Sequence, residues 1–253
     1  MLLEKPLKQL EKMSKNLLKL KIAYLYPDIL QGYCDRANLD VFKLRALERN
    51  IDVEIDEIKN NDKITTSKYD FYYISGTNID MLDVCAKKIM NNYTQLNIAA
   101  ESLVPMLAIN CGYILFGKNY QLNNSTIQNG LSILNVTTCA AQNLVYSKIV
   151  ASCEFLKKNR EIAGFIHSYT QTVIDGDTDT IPFLTLKNGK SEGAKYNNVI
   201  GTNITGPLLA QNPYFCDYLI SKALQVRYKC TIPLTKLTDD IEWYSHNYLV
   251  ESK

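Results

Sequence analysis

The stretch Pro105-Met-Leu-Ala-Ile-Asn-Cys-Gly-Tyr-Ile-Leu-Phe-Gly117 decides the fold. A short apolar run, Met106 to Ile109, stops abruptly at Asn110-Cys111-Gly112, and apolar residues resume with helical spacing at Ile114, Leu115 and Phe116. This is the pattern of a buried strand turning sharply into a helix. Such a turn displays one side chain at the carboxyl edge of the strand, beside the unpaired N–H groups of a helix N-terminus. Enzymes place nucleophiles there, because the helix dipole and the free N–H groups stabilise developing negative charge. The residue expected at the tip is Asn110, with Cys111 one step further along.

Working outward toward the N-terminus, Leu20 to Tyr26 reads as a strand closed by Pro27-Asp28. Gly32 to Asn38 leads into a helix with Leu39, Phe42, Leu44 and Leu47 inside, and Arg45, Glu48 and Arg49 outside. Asn50 caps it. Ile51, Val53 and Ile55 alternate with Asp52, Glu54 and Asp56, the period of a strand with one exposed face, as at a sheet edge. Tyr69 to Ile74 is a third strand, followed by Ser75-Gly76-Thr77-Asn78 and a helix from about Met81 to Tyr93. This alternation of strands and helices implies a flavodoxin-like α/β fold, a mostly parallel sheet with helices on both faces. The working site of such a sheet lies at the carboxyl ends of its strands, where Ser75-Gly76 and Asn110-Cys111 would meet.

The second half is richer in strands. Ile162 to Ile174 reads as extended, Asp175-Gly176-Asp177 as a turn, Phe183 to Leu186 as a strand, and Asn188-Gly189 as a hairpin turn. Val199 begins a strand that runs into Gly206-Pro207, and Asn212-Pro213 opens a helix carrying Leu219, Ile220 and Leu224. Residues 2–18 place Leu2, Leu3, Leu7, Leu10, Met13, Leu17 and Leu18 near one helical face. That helix either packs on its own domain or serves as a partner-binding arm. The expected organisation is an N-terminal amphipathic helix over 1–19, one domain over 20–225 and a C-terminal extension over 226–253.

Composition removes several function classes. Net charge is +2 across 253 residues and no Lys/Arg block dominates a face, which argues against nucleic-acid or anionic-membrane binding. The seven cysteines, at 34, 85, 111, 139, 153, 216 and 230, are odd in number and contain no C-x-x-C pair. Reduced thiols in a cytoplasmic protein fit this usage; no metal site and no cofactor are expected. With Glu4, Lys5, Lys8, Glu11 and Lys12 in its first turns, the N-terminal stretch is not expected to be a signal peptide, and no stretch has the apolar length of a membrane span.

Several short motifs then fall in a recognisable order: Leu25-Tyr-Pro-Asp28, Tyr33-Cys-Asp-Arg-Ala-Asn38, the Ala108–Gly117 turn, Gly130-Leu-Ser-Ile-Leu134 with Thr137-Thr138, Glu192-Gly193-Ala194, and Ile200-Gly-Thr-Asn-Ile-Thr-Gly-Pro-Leu-Leu209 with Asn212-Pro213. Over roughly residues 20 to 225 the chain resembles the cobyric-acid-synthase-like (CobB/CobQ-type) class I glutamine amidotransferases. Within that family it is most similar to the glutaminase subunits of lipid II isoglutaminyl synthases. The resemblance implies a glutaminase whose Cys attacks the glutamine side-chain amide while a His moves the proton and backbone N–H groups hold the oxyanion. It also implies a Mur-ligase-like partner that uses the ammonia to amidate the stem-peptide glutamate of peptidoglycan.

The chain departs from the family pattern at the chemistry. The family's Cys falls on Asn110 and the glycine after it on Cys111; the family's His falls on Thr205, and its substrate-contacting Arg on Gln171. In the oxyanion loop Gly76 is kept, but Ser75 and Thr77 stand where the family has glycines. An amide has no ionisable group near neutral pH and a threonine hydroxyl cannot shuttle protons as an imidazole does. The expected function is therefore a catalytically degenerate amidotransferase-like subunit, a scaffold or regulator of its partner. Two alternatives stay open: an atypical glutaminase or amidase using Cys111, or a cobyrinate-type relative. A pocket for glutamine or a small amide beneath Asn110 is a further expectation.

Four more residues admit two readings each. Cys111 lies one helical step from Asn110, so it is either a displaced nucleophile or a small buried residue. His167 falls one residue before the family's substrate-strand His position, and alternation sends it to the other face, which suits a surface or packing role. Asp35 and Arg36 follow the first strand, either as an ion pair bracing a loop or as polar contacts for a partner.

Overall fold

A computed structural model describes residues 17–30, 32, 35–122, 126–156, 160–176 and 178–251. The helix expected over 1–19 lies outside the described residues up to 16, and Leu18 and Lys19 already belong to the first strand.

In chain order the elements begin with β1 (Leu18–Leu25), a short α1 (Pro27–Leu30), α2 (Asp35–Leu47), β2 (Ile51–Ile58) and β3 (Phe71–Gly76). They continue with α3 (Leu82–Ile89), α4 (Tyr93–Glu101), β4 (Met106–Asn110) and α5 (Cys111–Phe116). After two short strands, β5 (Asn119–Gln121) and β6 (Gln128–Asn129), come the long β7 (Val136–Ser152) and β8 (Glu161–Ile174). The chain closes with β9 (Ile181–Thr185), β10 (Ser191–Tyr196), β11 (Val199–Thr202), β12 (Ile204–Thr205), α6 (Leu208–Gln211), α7 (Pro213–Tyr228) and α8 (Asp240–Glu251).

One sheet runs in the order β12-β8-β7-β9-β10-β11-β4-β3-β1-β2. Its β2-β1-β3-β4-β11 portion is parallel, as a flavodoxin-like fold requires, and β2 is the edge that its alternating acids announce. The β-rich second half joins it by antiparallel pairing. Alternate residues of the central strands feed two cores. Tyr72, Ile74, Met106 and Ala108 pack with Leu82, Ile89 and Leu96 of α3 and α4. Phe71, Tyr73, Leu107 and Ile109 pack with Leu39 and Phe42 of α2 and Leu219 and Ile220 of α7.

The structure reverses part of the α2 reading. Leu44 and Leu47 are exposed, whereas Arg45 and Arg49 are buried. Arg45 forks onto Asp217 and also pairs with Asp239, and Arg49 reaches Asp217 and the Thr235 carbonyl. The segment after α7 folds back over this face and supplies Asp239, a partner that local periodicity could not announce. α7 also runs unbroken through residue 225, and α8 docks on the domain through Trp243 stacked on Tyr214 and His246 bonded to the Gln211 carbonyl.

Candidate active site

The elbow is built by close backbone approaches. β4 is buried along its length between β3 and β11, and Gly76 lies opposite Asn110 in register. Asn110 has φ 50° and ψ −112°. That is not the left-handed well asparagine tolerates but a combination that side-chain-bearing residues rarely adopt. α5 then crosses so near β3 that a Cβ on Gly112 would lie 2.6 Å from the Ile74 carbonyl oxygen. Gly76 is pressed against α1, where a Cβ would lie 2.5 Å from Leu30.

Above the elbow opens a cavity of about 500 Å³. Asn110, Cys111, Thr77 and Asn78 line it from the parallel half, and Ser168 and Thr170 from β8. The last two share a hydroxyl–hydroxyl bond of 2.9 Å, reinforced by the Thr170 N–H donating to Ser168 Oγ at 3.1 Å. The Asn110 side chain is 7% exposed, and among the described residues neither its Nδ2 nor its Oδ1 has a hydrogen-bond partner. Ser75 Oγ is likewise buried without one. The tip of the turn thus carries a neutral amide and no ionisable group.

Residues 21–213 match the CobB/CobQ-like glutamine amidotransferase domain. The chain belongs to that family. It is 31% identical over 82% of its length to the Staphylococcus aureus (strain N315) lipid II isoglutaminyl synthase (glutamine-hydrolyzing) subunit GatD, covering 85% of that protein. It is 25% identical over 87% of its length to the Streptococcus pneumoniae (strain ATCC BAA-255 / R6) subunit of the same name, covering 86% of it. Among solved structures it superposes on a glutamine amidotransferase with a TM-score of 0.55 at 12% identity, covering 79% of this chain and 98% of that one. A second, from Thermotoga maritima, gives 0.50 at 12% identity over 92% and 94% of the two chains. These two likenesses speak to the fold alone.

The amidotransferase domain distributes its remaining motif positions unevenly around the elbow. Thr205 sits on β12, half-buried and paired with Phe165 of β8, and is not among the residues lining the cavity. Gln171 is exposed on β8 opposite Cys139 and also stands away from the lining. His167 lies exposed at the cavity rim, its ring edge-on to Tyr146 and Tyr169 at 6.0 and 6.3 Å. Cys111 is 1% exposed at the start of α5 and lines the cavity. Ser75 and Gly76 end β3 and are not among the lining residues; the next ones, Thr77 and Asn78, are. Asp35 and Arg36 open α2 instead of occupying a loop; Arg36 pairs with Asp40 and with Glu57 at the end of β2.

Other motif residues hold the frame. Asn38 donates to the Tyr73 hydroxyl and the Gly206 carbonyl and accepts from the Leu209 N–H. Asn212 accepts from the Ala163 N–H and donates to the carbonyls of Ala163 and Leu208. Glu192 is buried beneath the β11–β12 corner, taking the Thr202 hydroxyl at 2.8 Å and the Asn203 N–H at 2.7 Å. Burial pushes its carboxyl up to about 7, against the pull of those two donors. Its role was not legible from the motif alone, although a lone acid between small and apolar strand residues was the available signal. Among the described residues, no His/Cys/Asp/Glu cluster is placed to hold a metal, and no helix is long and apolar enough to cross a membrane.

Proposed function

We propose that this chain is an amidotransferase-like subunit that has lost the glutaminase step and is retained for association with a Mur-ligase-like partner. The observation that carries the reading is the elbow: its strained backbone is built in full, yet its tip bears the Asn110 amide. An amide supplies neither the nucleophile nor the acyl intermediate that amide hydrolysis requires. Thr205 on β12 and Gln171 outside the cavity lining add neither a proton shuttle nor a charged substrate contact. The relatives are subunits of lipid II isoglutaminyl synthase, which supports assembly with a second protein in peptidoglycan amidation.

Surface composition supports a partner as well. No charged residue occurs between Lys118 and Lys148, and part of this uncharged run forms the exposed middle of β7. Leu144, Val145 and Tyr146 there, with Tyr169 and Val173 of β8, expose apolar area, and Tyr169 also lines the cavity. Depletion of charge with exposed apolar and aromatic side chains is the composition of protein interface cores.

The test is glutamate release from glutamine by the full chain, alone and co-expressed with a Mur-ligase-like partner, beside Cys111→Ala and Asn110→Cys. Silence with a stable complex is expected. A second reading, with Cys111 as nucleophile, draws on its place in the cavity lining. Turnover by the unmodified chain that Cys111→Ala abolishes would establish that reading and overturn ours.

A further inference from the structure

The elbow asparagine has a chemistry of its own. In an L-residue Cβ is displaced from the backbone nitrogen by one tetrahedral step about the Cα–C bond, and ψ of −112° turns the next nitrogen almost into line with it. The Cys111 backbone nitrogen is therefore nearly eclipsed with Asn110 Cβ. That is the backbone shape of the five-membered ring formed by Asn Cα, Cβ and Cγ, the following nitrogen and the intervening carbonyl carbon. An unfolded chain visits such φ/ψ values rarely; here the approaches around Gly112 and Gly76 enforce them. Two further observations point the same way. No hydrogen bond among the described residues holds the carboxamide in another orientation. Asn110 is also among the residues that line the cavity over the elbow.

We propose that Asn110 is a self-modification site: its side chain cyclises onto the Cys111 backbone nitrogen and is converted to aspartate or isoaspartate. The Cys111 nitrogen bonds to Asn110 Cγ, the Cγ–Nδ2 bond breaks, and Nδ2 leaves as ammonia with the proton given up by the Cys111 nitrogen. One water then opens the cyclic imide. Hydrolysis at Cγ leaves aspartate in the normal chain; hydrolysis at the backbone carbonyl leaves isoaspartate. Each chain consumes one water and releases one ammonia, and no oxidant or second substrate is needed. The product replaces a neutral amide on the cavity floor with a carboxylate, an acceptor-only group that belongs to the covalent nucleophiles an amide does not join.

Incubating the full chain in ¹⁸O-water at mildly alkaline pH, native and in urea, followed by peptide mass mapping, tests this. Asn188-Gly189 is the internal control, an exposed turn whose flanking glycine favours the same reaction through sequence alone. Label is expected at residue 110 in the native chain roughly tenfold or more faster than in the unfolded one, because the unfolded chain must first find the rare φ/ψ. Asn188 is expected to convert at least as fast unfolded as native. Asn110→Gln, whose ring would need an extra carbon, is expected to remain unlabelled. Purified protein already carrying aspartate or isoaspartate at 110 would also support the proposal. No label at native Asn110 while Asn188 converts, or equal native and unfolded rates at 110, would overturn it. Because the readout is the mass of the chain, a silent or an active glutaminase assay leaves this result unaffected.

Discussion

Asn212 and Asn110 are both buried asparagines in family motifs, and they are handled in opposite ways. The Asn212 amide makes three hydrogen bonds that tie β8 to α6, whereas the Asn110 amide makes none among the described residues. Where the family position supports the frame, every polar atom is satisfied. At the elbow, the buried amide is left without a partner among the described residues. A buried polar group without a partner forfeits its hydration, so the difference is energetic as well as geometric. Asn212→Ala should break the frame most severely. It strands the Ala163 N–H and the carbonyls of Ala163 and Leu208, for a loss of roughly 3 kcal/mol or more in urea unfolding.

Glu192 is an intermediate case: satisfied by two donors but facing no cation among the described residues. In the unfolded chain its carboxyl ionises near the ordinary 4.5, while in the folded chain it keeps its proton to about 7. Between those values the folded state binds more protons, so stability falls as pH rises through that window and is greatest below it. The carboxyl's contribution to this loss is about 3 kcal/mol. The stability difference between Glu192→Gln and the unmodified chain, followed across the window, should grow by that amount in the variant's favour. A flat difference would mean that the Thr202 and Asn203 donors offset the burial in full.

The parallel half was legible because its strands are short, apolar and punctuated: β1, β3 and β4 were each placed within two or three residues, and the edge character of β2 followed from its alternating acids. The helix expected over 81–93 is instead interrupted, with α3 ending at Ile89 and α4 beginning at Tyr93. β7 gave no strand signal, since its exposed, uncharged middle lacks the alternation that a half-buried strand shows. On β8 both parities reach the cavity between residues 167 and 170, the buried Ser168 and Thr170 and the exposed His167 and Tyr169, and the lining stops before Gln171, an extent along the strand that alternation alone does not give. The burial of Arg45 and Arg49 depended on Asp217 and Asp239, far along the chain.

Asn110→Gly sharpens the asparagine comparison by reversing its sign. Glycine takes φ 50°, ψ −112° without a Cβ penalty and removes the unpartnered amide. Relief of strain at such a residue is worth about 1–3 kcal/mol, and the added freedom of glycine in the unfolded chain takes back about 0.5–1 kcal/mol. The net expectation is a gain of roughly 1 kcal/mol in urea unfolding. A loss would show that the asparagine is packed as a structural residue and that the elbow is held by more than the approaches around Gly76 and Gly112.

Two arginines on α2 give the smallest effect and a cleaner form of the same contrast. Arg45 is buried with its guanidinium spread over Asp217 and Asp239, whereas Arg36 is about half exposed and meets Asp40 and Glu57 at 3.2 Å each. Exposed pairs trade Coulomb energy against side-chain freedom and hydration, and contribute about 0–1 kcal/mol. Arg36→Ala should therefore cost only about 0.5 kcal/mol, and the cost should shrink in high salt. The useful measurement is a double-mutant cycle of Arg36→Ala with Glu57→Ala, since Glu57 ends β2 and Asp40 is one turn away on the same helix. Coupling confined to the Glu57 arm would mean that Arg36 braces helix to sheet beside the cavity. Coupling confined to Asp40 would leave it a local helix pair, with α2 tied to the sheet by the apolar packing of Leu39 and Phe42 and by the bond from Asn38 to the Tyr73 hydroxyl.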